Sequence, residues 1–278
     1  MEAGDPAIWG GGQLSRPAGP IVLARLHLRL GALNELQYRV NFWVQLFNSG
    51  LNLATGLVAI AVVYNQTDTL GGWSSAELLA VLGVHVLIGG FLRTFVVPNM
   101  WSLIRDVQEG TLDYTLTRPA DSQLIVSVRQ INIWNLIDVV LGAGVVAWAL
   151  REMQSQLTGT GLVAFGVTLV CGAAIVYAIW LTAVTIAFKA VDIGDLMQIL
   201  NGVYEAGRWP VTIYPLWLRS SLTVIIPLAF AITVPAEIVT GRVGWGWLAA
   251  AVGVAGLALL VSRAIWKWGI RNYSGASA

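Results

Sequence analysis

The sequence predicts an all-α membrane protein with six transmembrane helices, and three observations carry that prediction. Hydrophobic residues make up 56% of the 278-residue chain and charged residues only 11%, whereas a water-soluble domain carries roughly 25% charged residues. The mean hydropathy is +0.71. The charges are also bunched, leaving six stretches close to the ~20 apolar residues that a helix needs to cross the hydrocarbon of a bilayer.

In chain order, residues 1–20 hold Glu2, Asp5 and three prolines and lack the basic start and apolar run of a secretory signal, which predicts a disordered cytoplasmic tail. Residues 21–38, IVLARLHLRLGALNELQY, are too polar to span. Leu23, Leu26, Leu30 and Leu33 share one helical face, which predicts an amphipathic helix on the membrane surface or, alternatively, a plain structural lead-in. The transmembrane domain then covers 39–270, with 271–278 as a cytoplasmic tail. Span one, 42–65, starts at Trp43, an interfacial ring. Span two, 77–102, is interrupted only by Arg93, and span three, 131–151, contains Asp138. Span four, 161–188, carries no charge at all. Span five, 212–234, draws on the uncharged residues 220–236, which Pro227 and Pro235 interrupt, each removing a backbone donor. Irregular backbone at that depth needs protein or water to cover it, so Pro227, Pro235 and Glu237 mark a broken or re-entrant region. Span six, 243–263, has paired tryptophans at each end.

Orientation follows from the basic residues. With the amino terminus inside, thirteen Arg and Lys fall on the cytoplasmic side, Arg151 and Arg242 outside, and Arg93 in the membrane. That bias places both termini in the cytoplasm. Two cytoplasmic stretches result. In 105–130, Asp106, Glu109 and Asp113 are spaced by three and four, so in one helix they form an acidic face ending near Arg118 and Pro119; the segment is either a docking surface or a solvated connection. The second, 189–219, is either another contact surface or the entry to span five.

Catalysis on this chain is not expected. Neither lysine, Lys189 or Lys267, sits in a phosphate-binding GxxxxGK[ST] loop, and a basic nucleic-acid surface is missing. His27 and His85 are far apart, no metal-ligand spacing occurs, and Cys171 is the only cysteine. Ionisable groups inside spans are candidates for function by default, which singles out His85, Arg93 and Asp138. Arg93 and Asp138 are placed to pair between spans two and three. A proton relay and a packing role for His85 both stay open.

The stretch EGTLDYTLTRPADSQ, with Glu109, Gly110, Asp113, Arg118 and Pro119, resembles the membrane permeases of type-2 ABC exporters, and a looser likeness runs from about 25 to 270. The resemblance implies that Glu109 to Pro119 hold a coupling helix seated in an ATPase subunit, with Asp106 among the coupling residues, that residues 21–38 lie on the inner surface, and that Pro227 to Pro235 form re-entrant helices between spans five and six. It also implies a P-loop ATPase partner carrying ATP and Mg, a second permease, and residence in the inner (plasma) membrane. The rival readings are an ion-coupled secondary transporter and a non-transporting scaffold. A pathway of Gly, Ala, Leu and Trp suits an amphiphilic substrate.

Overall fold

The computed structural model describes residues 39–153, 159–189 and 193–273, so the expected tails and the surface helix at 21–38 lie outside the described residues. Among the described residues the architecture is helical, without strands. α1 (Arg39–Tyr64) packs antiparallel to α2 (Ser75–Gln108), with the Tyr64 hydroxyl donating to the Trp73 carbonyl at 2.6 Å. α5 (Leu136–Glu152), α6 (Gly159–Ile186) and α10 (Trp245–Arg271) are the other long helices. Trp73 and Trp266, both fully buried, sit at opposite ends of the bundle and name them here.

α2 shows how the sequence sets local structure. It begins with a capping box, in which Ser74 accepts from the Glu77 amide while Glu77 accepts from the Ser74 amide at 2.8 Å. Pro98 lies inside it and has no N–H to offer the Thr94 carbonyl. The helix passes through by widening into a π-turn at Leu92–Val96, and the carbonyls around the bulge find other donors. The Asn132 amide bonds Thr94 at 3.0 Å, and the side chains of Asn99 and Asn135 bond Phe95 at 2.6 Å and Arg93 at 3.1 Å. The helix therefore continues to Gln108, six residues beyond the expected end of span two at 102. α10 likewise runs on to Arg271 rather than stopping at Arg263, because Arg263 is paired rather than solvated.

The closest helix pair is α2 with α5. A Cβ on Gly142 would lie 2.5 Å from the Leu87 nitrogen and 2.7 Å from the Gly83 carbonyl oxygen, and a Cβ on Gly90 would lie 2.7 Å from the Val139 nitrogen. Small residues here let backbone meet backbone, the usual basis of helix association in lipid.

The expected fifth span is a bent pair of helices. α8 (Leu216–Ile225) and α9 (Ala229–Val239) are bent by 79° at Pro227 and form a hairpin that enters and leaves at the Trp73 end. Just before it, Thr212 accepts from the Trp73 indole at 2.8 Å; just after it, Arg242 bonds Glu77 at 2.8 Å and the Gly72 carbonyl at 3.1 Å. Its tip, Thr223–Pro227, lies beside the middle of α10 and the second half of α6. The passage between the two ends is made by α7 (Ile193–Ala206), which starts at the Trp266 end and brings Tyr204 against His85. Residues 193–212 thus lead from one end of the bundle toward the other, and 216–239 form a bent pair rather than one straight span. Pro235 does not interrupt the chain: it follows the π-turn Ala229–Thr233, as Pro98 follows the one in α2, and the helix continues to Val239. Five helices, α1, α2, α5, α6 and α10, are long and apolar enough to cross a membrane, while α7, at 14 residues, joins the two ends of the bundle.

Candidate functional site

Three places hold the residues singled out from the sequence. The first is the Trp266 end, where α2 passes into α3 (Leu112–Leu116) and α4 (Ser122–Ser127). Asp106, Glu109 and Asp113 do not share one helical face. Gly110 has φ of 70°, a left-handed turn that glycine adopts without penalty, and it ends α2 before Glu109 and Asp113 can align. Asp106 turns inward to an ion pair with Arg129, while Glu109, Asp113, Arg118 and Pro119 are exposed. α3 is a five-residue knob fixed from beneath by Leu112 and Thr115, both buried, with Tyr114 pointing out at 75% exposure.

The far side of the knob is tied to the bundle by residues that sequence reasoning did not single out. Asp121 caps α4 through the Leu124 amide at 3.1 Å and takes both Nη atoms of Arg263 in α10. Arg263 also donates to Gln123 at 2.9 Å, and Tyr177 of α6 meets Ser127 at 2.7 Å. The hydrogen bonds from Arg263, followed by the cap, hold the Asp121 carboxyl below the usual carboxylate range. No spacing rule reveals these pairs, since Asp121 and Arg263 meet only through the fold.

The second place is a polar cluster within the spans. Arg93, on the π-turn of α2, donates Nε at 3.0 Å and Nη2 at 2.8 Å to one oxygen of Asp138 in α5. Asp138 is 3% exposed at its side chain but Arg93 is 39% exposed, so the cation reaches into open space from a buried anchor. His85 lies ten residues into α2, about 15 Å from its start. Its ring stacks on Tyr204 at 4.6 Å, and its backbone carbonyl accepts from the Tyr204 hydroxyl at 2.5 Å. Its Nε2 is 3.9 Å from Glu205, which is paired with Arg208 at 2.7 Å, and its buried Nδ1 has no partner. The structure thus brings Arg93 and Asp138 into contact and sets His85 in a separate group with Tyr204 and Glu205 of α7 and with Arg208 just beyond it. Sequence reasoning places Tyr204, Glu205 and Arg208 in a cytoplasmic contact surface or the entry to span five and does not single them out as a site; the three- and four-residue spacing of α7's apolar residues was the available signal for a helix.

The third is the hairpin. Pro227 forms its tip, Pro235 lies in α9, and Glu237 sits half-buried near the Trp73 end, its carbonyl accepting from the Arg242 amide at 2.8 Å. An apolar groove of about 720 Å³ runs between the tip, α6 and α10, with only Thr182 and Thr223 to break its hydrocarbon lining.

A family model described as ABC-2 family transporter protein matches residues 51–277. No curated protein and no solved structure matches the chain. The matched region runs from the second half of α1 through α10 and includes the knob, the polar cluster and the hairpin. The chain belongs to the ABC-2 transporter family.

Proposed function

We propose that the chain is the permease subunit of an ATP-driven exporter, forming half of the translocation pathway beside a second permease and taking its energy from a separate ATPase. ATP and Mg then belong to that partner, and this chain is not an enzyme. The observation that carries the reading is the exposed α3 knob on the end of a 34-residue helix. A subunit that hydrolyses nothing must receive work by contact, and a knob transmits a push only if its base does not yield. Leu112 beneath it, Arg129 on Asp106 and Arg263 on Asp121 make that base stiff. Asp106, Gly110 and Pro119 serve as structure in this reading, while Glu109, Asp113 and Arg118 offer the charges that meet the ATPase. Coupling works only if the nucleotide states of the partner favour different arrangements of the membrane helices.

The knob then faces the cytoplasm, with both termini on that side of the plasma membrane. With Arg208 moved into the bundle and Arg219 to the Trp73 end, eleven basic residues remain on the knob side, against Arg151, Arg219 and Arg242 opposite. The bias is smaller than first counted and keeps its sign.

The test is recovery of the tagged chain from its native membrane in mild detergent, with mass spectrometry of what accompanies it. A P-loop ATPase in stoichiometric amount supports the exporter. A chain that comes out alone and transports in liposomes without ATP refutes it. That second outcome favours an ion-coupled transporter built on His85, Arg93 and Asp138, the reading to which the buried, unpartnered Nδ1 of His85 lends some weight.

A further inference from the structure

The α8–α9 hairpin turns back at Pro227, and beneath its tip the bundle leaves a space that its own side chains do not fill. That groove, about 720 Å³, is walled by Ile179 and Ala183 of α6, Val254, Leu257 and Val261 of α10 and Leu200 of α7. The α6 residues lie in the last third of their helix and the α10 residues in the middle of theirs, so the groove occupies the half of the bundle toward the Trp266 end. Water has little to hold there. Thr223 spends its hydroxyl on the Arg219 carbonyl at 2.7 Å, which leaves Thr182 as the polar side chain of the lining, whereas a buried water needs about three partners. An empty space is no better, because the walls would then face nothing across the gap. The groove calls for hydrocarbon.

Two features toward the Trp266 end say which hydrocarbon. The α10 face that lines the groove continues at spacings of three and four through Ile265 to Trp268 and Asn272. There a second pocket, about 110 Å³, shares Ile186 with the groove and is lined by Trp268, Asn272 and Tyr273, whose buried hydroxyl has no partner among the described residues. Apolar space thus passes into polar space along one helix face, and Trp268, an exposed amphipathic ring, stands at the change. The neighbouring flank of α10 presents Lys267 and Arg271, both exposed and neither in an ion pair with any described residue. A tail, a polar neck and an anionic head match these three zones in order. A second copy of the chain does not, since a two-fold axis along the bundle keeps both Trp266 ends level and would bring Lys267 and Arg271 against their own counterparts.

We infer that the groove is the seat of a resident anionic phospholipid from the leaflet at the Trp266 end, with an acyl chain beneath the hairpin tip and its headgroup at Lys267 and Arg271. Hydrocarbon gains little by leaving the bilayer for an apolar protein surface, so the lipid is retained by close packing against a concave wall and by the two charges. Its tail covers Val224 and Ile225, which the protein alone leaves 78% and 76% exposed, and so completes the packing of the hairpin tip. The seat stands on the geometry of α6, α10 and the hairpin and does not depend on the exporter reading.

The test is native mass spectrometry of the full chain, purified in mild detergent and offered equal amounts of phosphatidylglycerol and phosphatidylethanolamine. The wild type should hold a phospholipid through detergent washing and prefer phosphatidylglycerol at least about fivefold, the effect of one basic residue at a membrane surface. Ala183→Phe and Ala258→Phe fill the groove from α6 and from α10, and each should lower retention about tenfold. Val170→Phe and Val252→Phe, on exposed parts of the same two helices outside the groove, should leave retention unchanged. Lys267→Gln combined with Arg271→Gln should keep the lipid and abolish the preference. A wild type that emerges without lipid overturns the seat, as do groove-filled variants that hold as much as the wild type. A shift from dimer to monomer in those variants with no lipid lost also overturns it, in favour of a second copy. A preference that survives the loss of both basic residues overturns the headgroup placement. The two fillings lie on different helices, so one variant that fails to fold leaves the comparison standing. A lipid held by a chain recovered without an ATPase keeps the seat and removes the exporter; a chain recovered with its ATPase and no lipid does the reverse.

Discussion

Gly142→Ala and Gly144→Ala add the same methyl group to the same helix, two residues apart, and should move stability in opposite directions. At Gly142 the new Cβ meets the Leu87 nitrogen at 2.5 Å, the Gly83 oxygen at 2.7 Å and the Leu87 Cα at 2.8 Å. All three are backbone atoms, so no rotamer change relieves them, and α2 and α5 must separate by several tenths of an ångström. Overpacking of this kind costs about 1–3 kcal/mol. At Gly144 the Cβ meets nothing within 4 Å, and replacing a helical glycine gains about 0.5–1 kcal/mol from backbone entropy alone. The backbone-entropy gain is common to both variants, so they should differ by the overpacking cost, about 1–3 kcal/mol. Reversible unfolding of the purified chain in mixed micelles, titrated with SDS and followed by tryptophan fluorescence, reads that difference. If Gly142→Ala proves as stable as Gly144→Ala, α2 and α5 are not in backbone contact and the packing described for them is wrong.

Arg93→Ala strands the buried Asp138 carboxylate and should cost about 3–5 kcal/mol in the same assay, with much of the loss recovered when Asp138→Ala is added. Asp121 titrates below the ordinary carboxylate range because Arg263 bonds its ionised form, so its contribution is present above that range and disappears as pH falls through the lowered value. The thermal midpoint of the wild type should accordingly fall more steeply on acidification than that of Asp121→Asn; parallel curves would show that the Arg263 pair does not stabilise the fold. Under the exporter reading, Glu109→Ala and Asp113→Ala, both exposed, should leave the unfolding midpoint within about 0.5 kcal/mol of wild type and yet lower transport per ATP hydrolysed. Normal transport by both variants would separate the knob from coupling.

What the sequence revealed depended on which residues carry their information locally. Long apolar runs bounded by charge placed α1, α2, α5, α6 and α10, because a bilayer dictates length and polarity whatever the packing. Arg93 and Asp138 were legible as partners for the same reason: two opposite charges inside adjacent spans have few other ways to be satisfied. α7 was hidden by its own role. Asp195, Gln198, Asn201 and Glu205 give it the look of a solvated segment, and hydropathy reads polar residues without reading what they face. The uncharged residues 220–236 drew the fifth span to themselves, and there the structure has the bent pair α8 and α9. The acidic face failed at one residue, Gly110, whose positive φ is set by the geometry at the end of α2 and not by composition. Asp121 with Arg263, and His85 with Tyr204, lie more than a hundred residues apart in the chain, and no local pattern foretells such meetings.

The α8–α9 hairpin also constrains how the chain is made. Each arm is about ten residues long and rises roughly 15 Å, half of the hydrocarbon thickness, so neither qualifies alone as a segment to be handed sideways into lipid during synthesis. Its tip rests against α6, already in place, and against α10, not yet translated when the hairpin leaves the ribosome. The hairpin must therefore wait near the Trp73 surface until α10 has crossed, and settles inward as one of the last acts of assembly. Ribosomes stalled shortly after Val239 would hold a protein whose hairpin still lacks one wall, and protease applied from the Trp73 side should cut there until α10 is released.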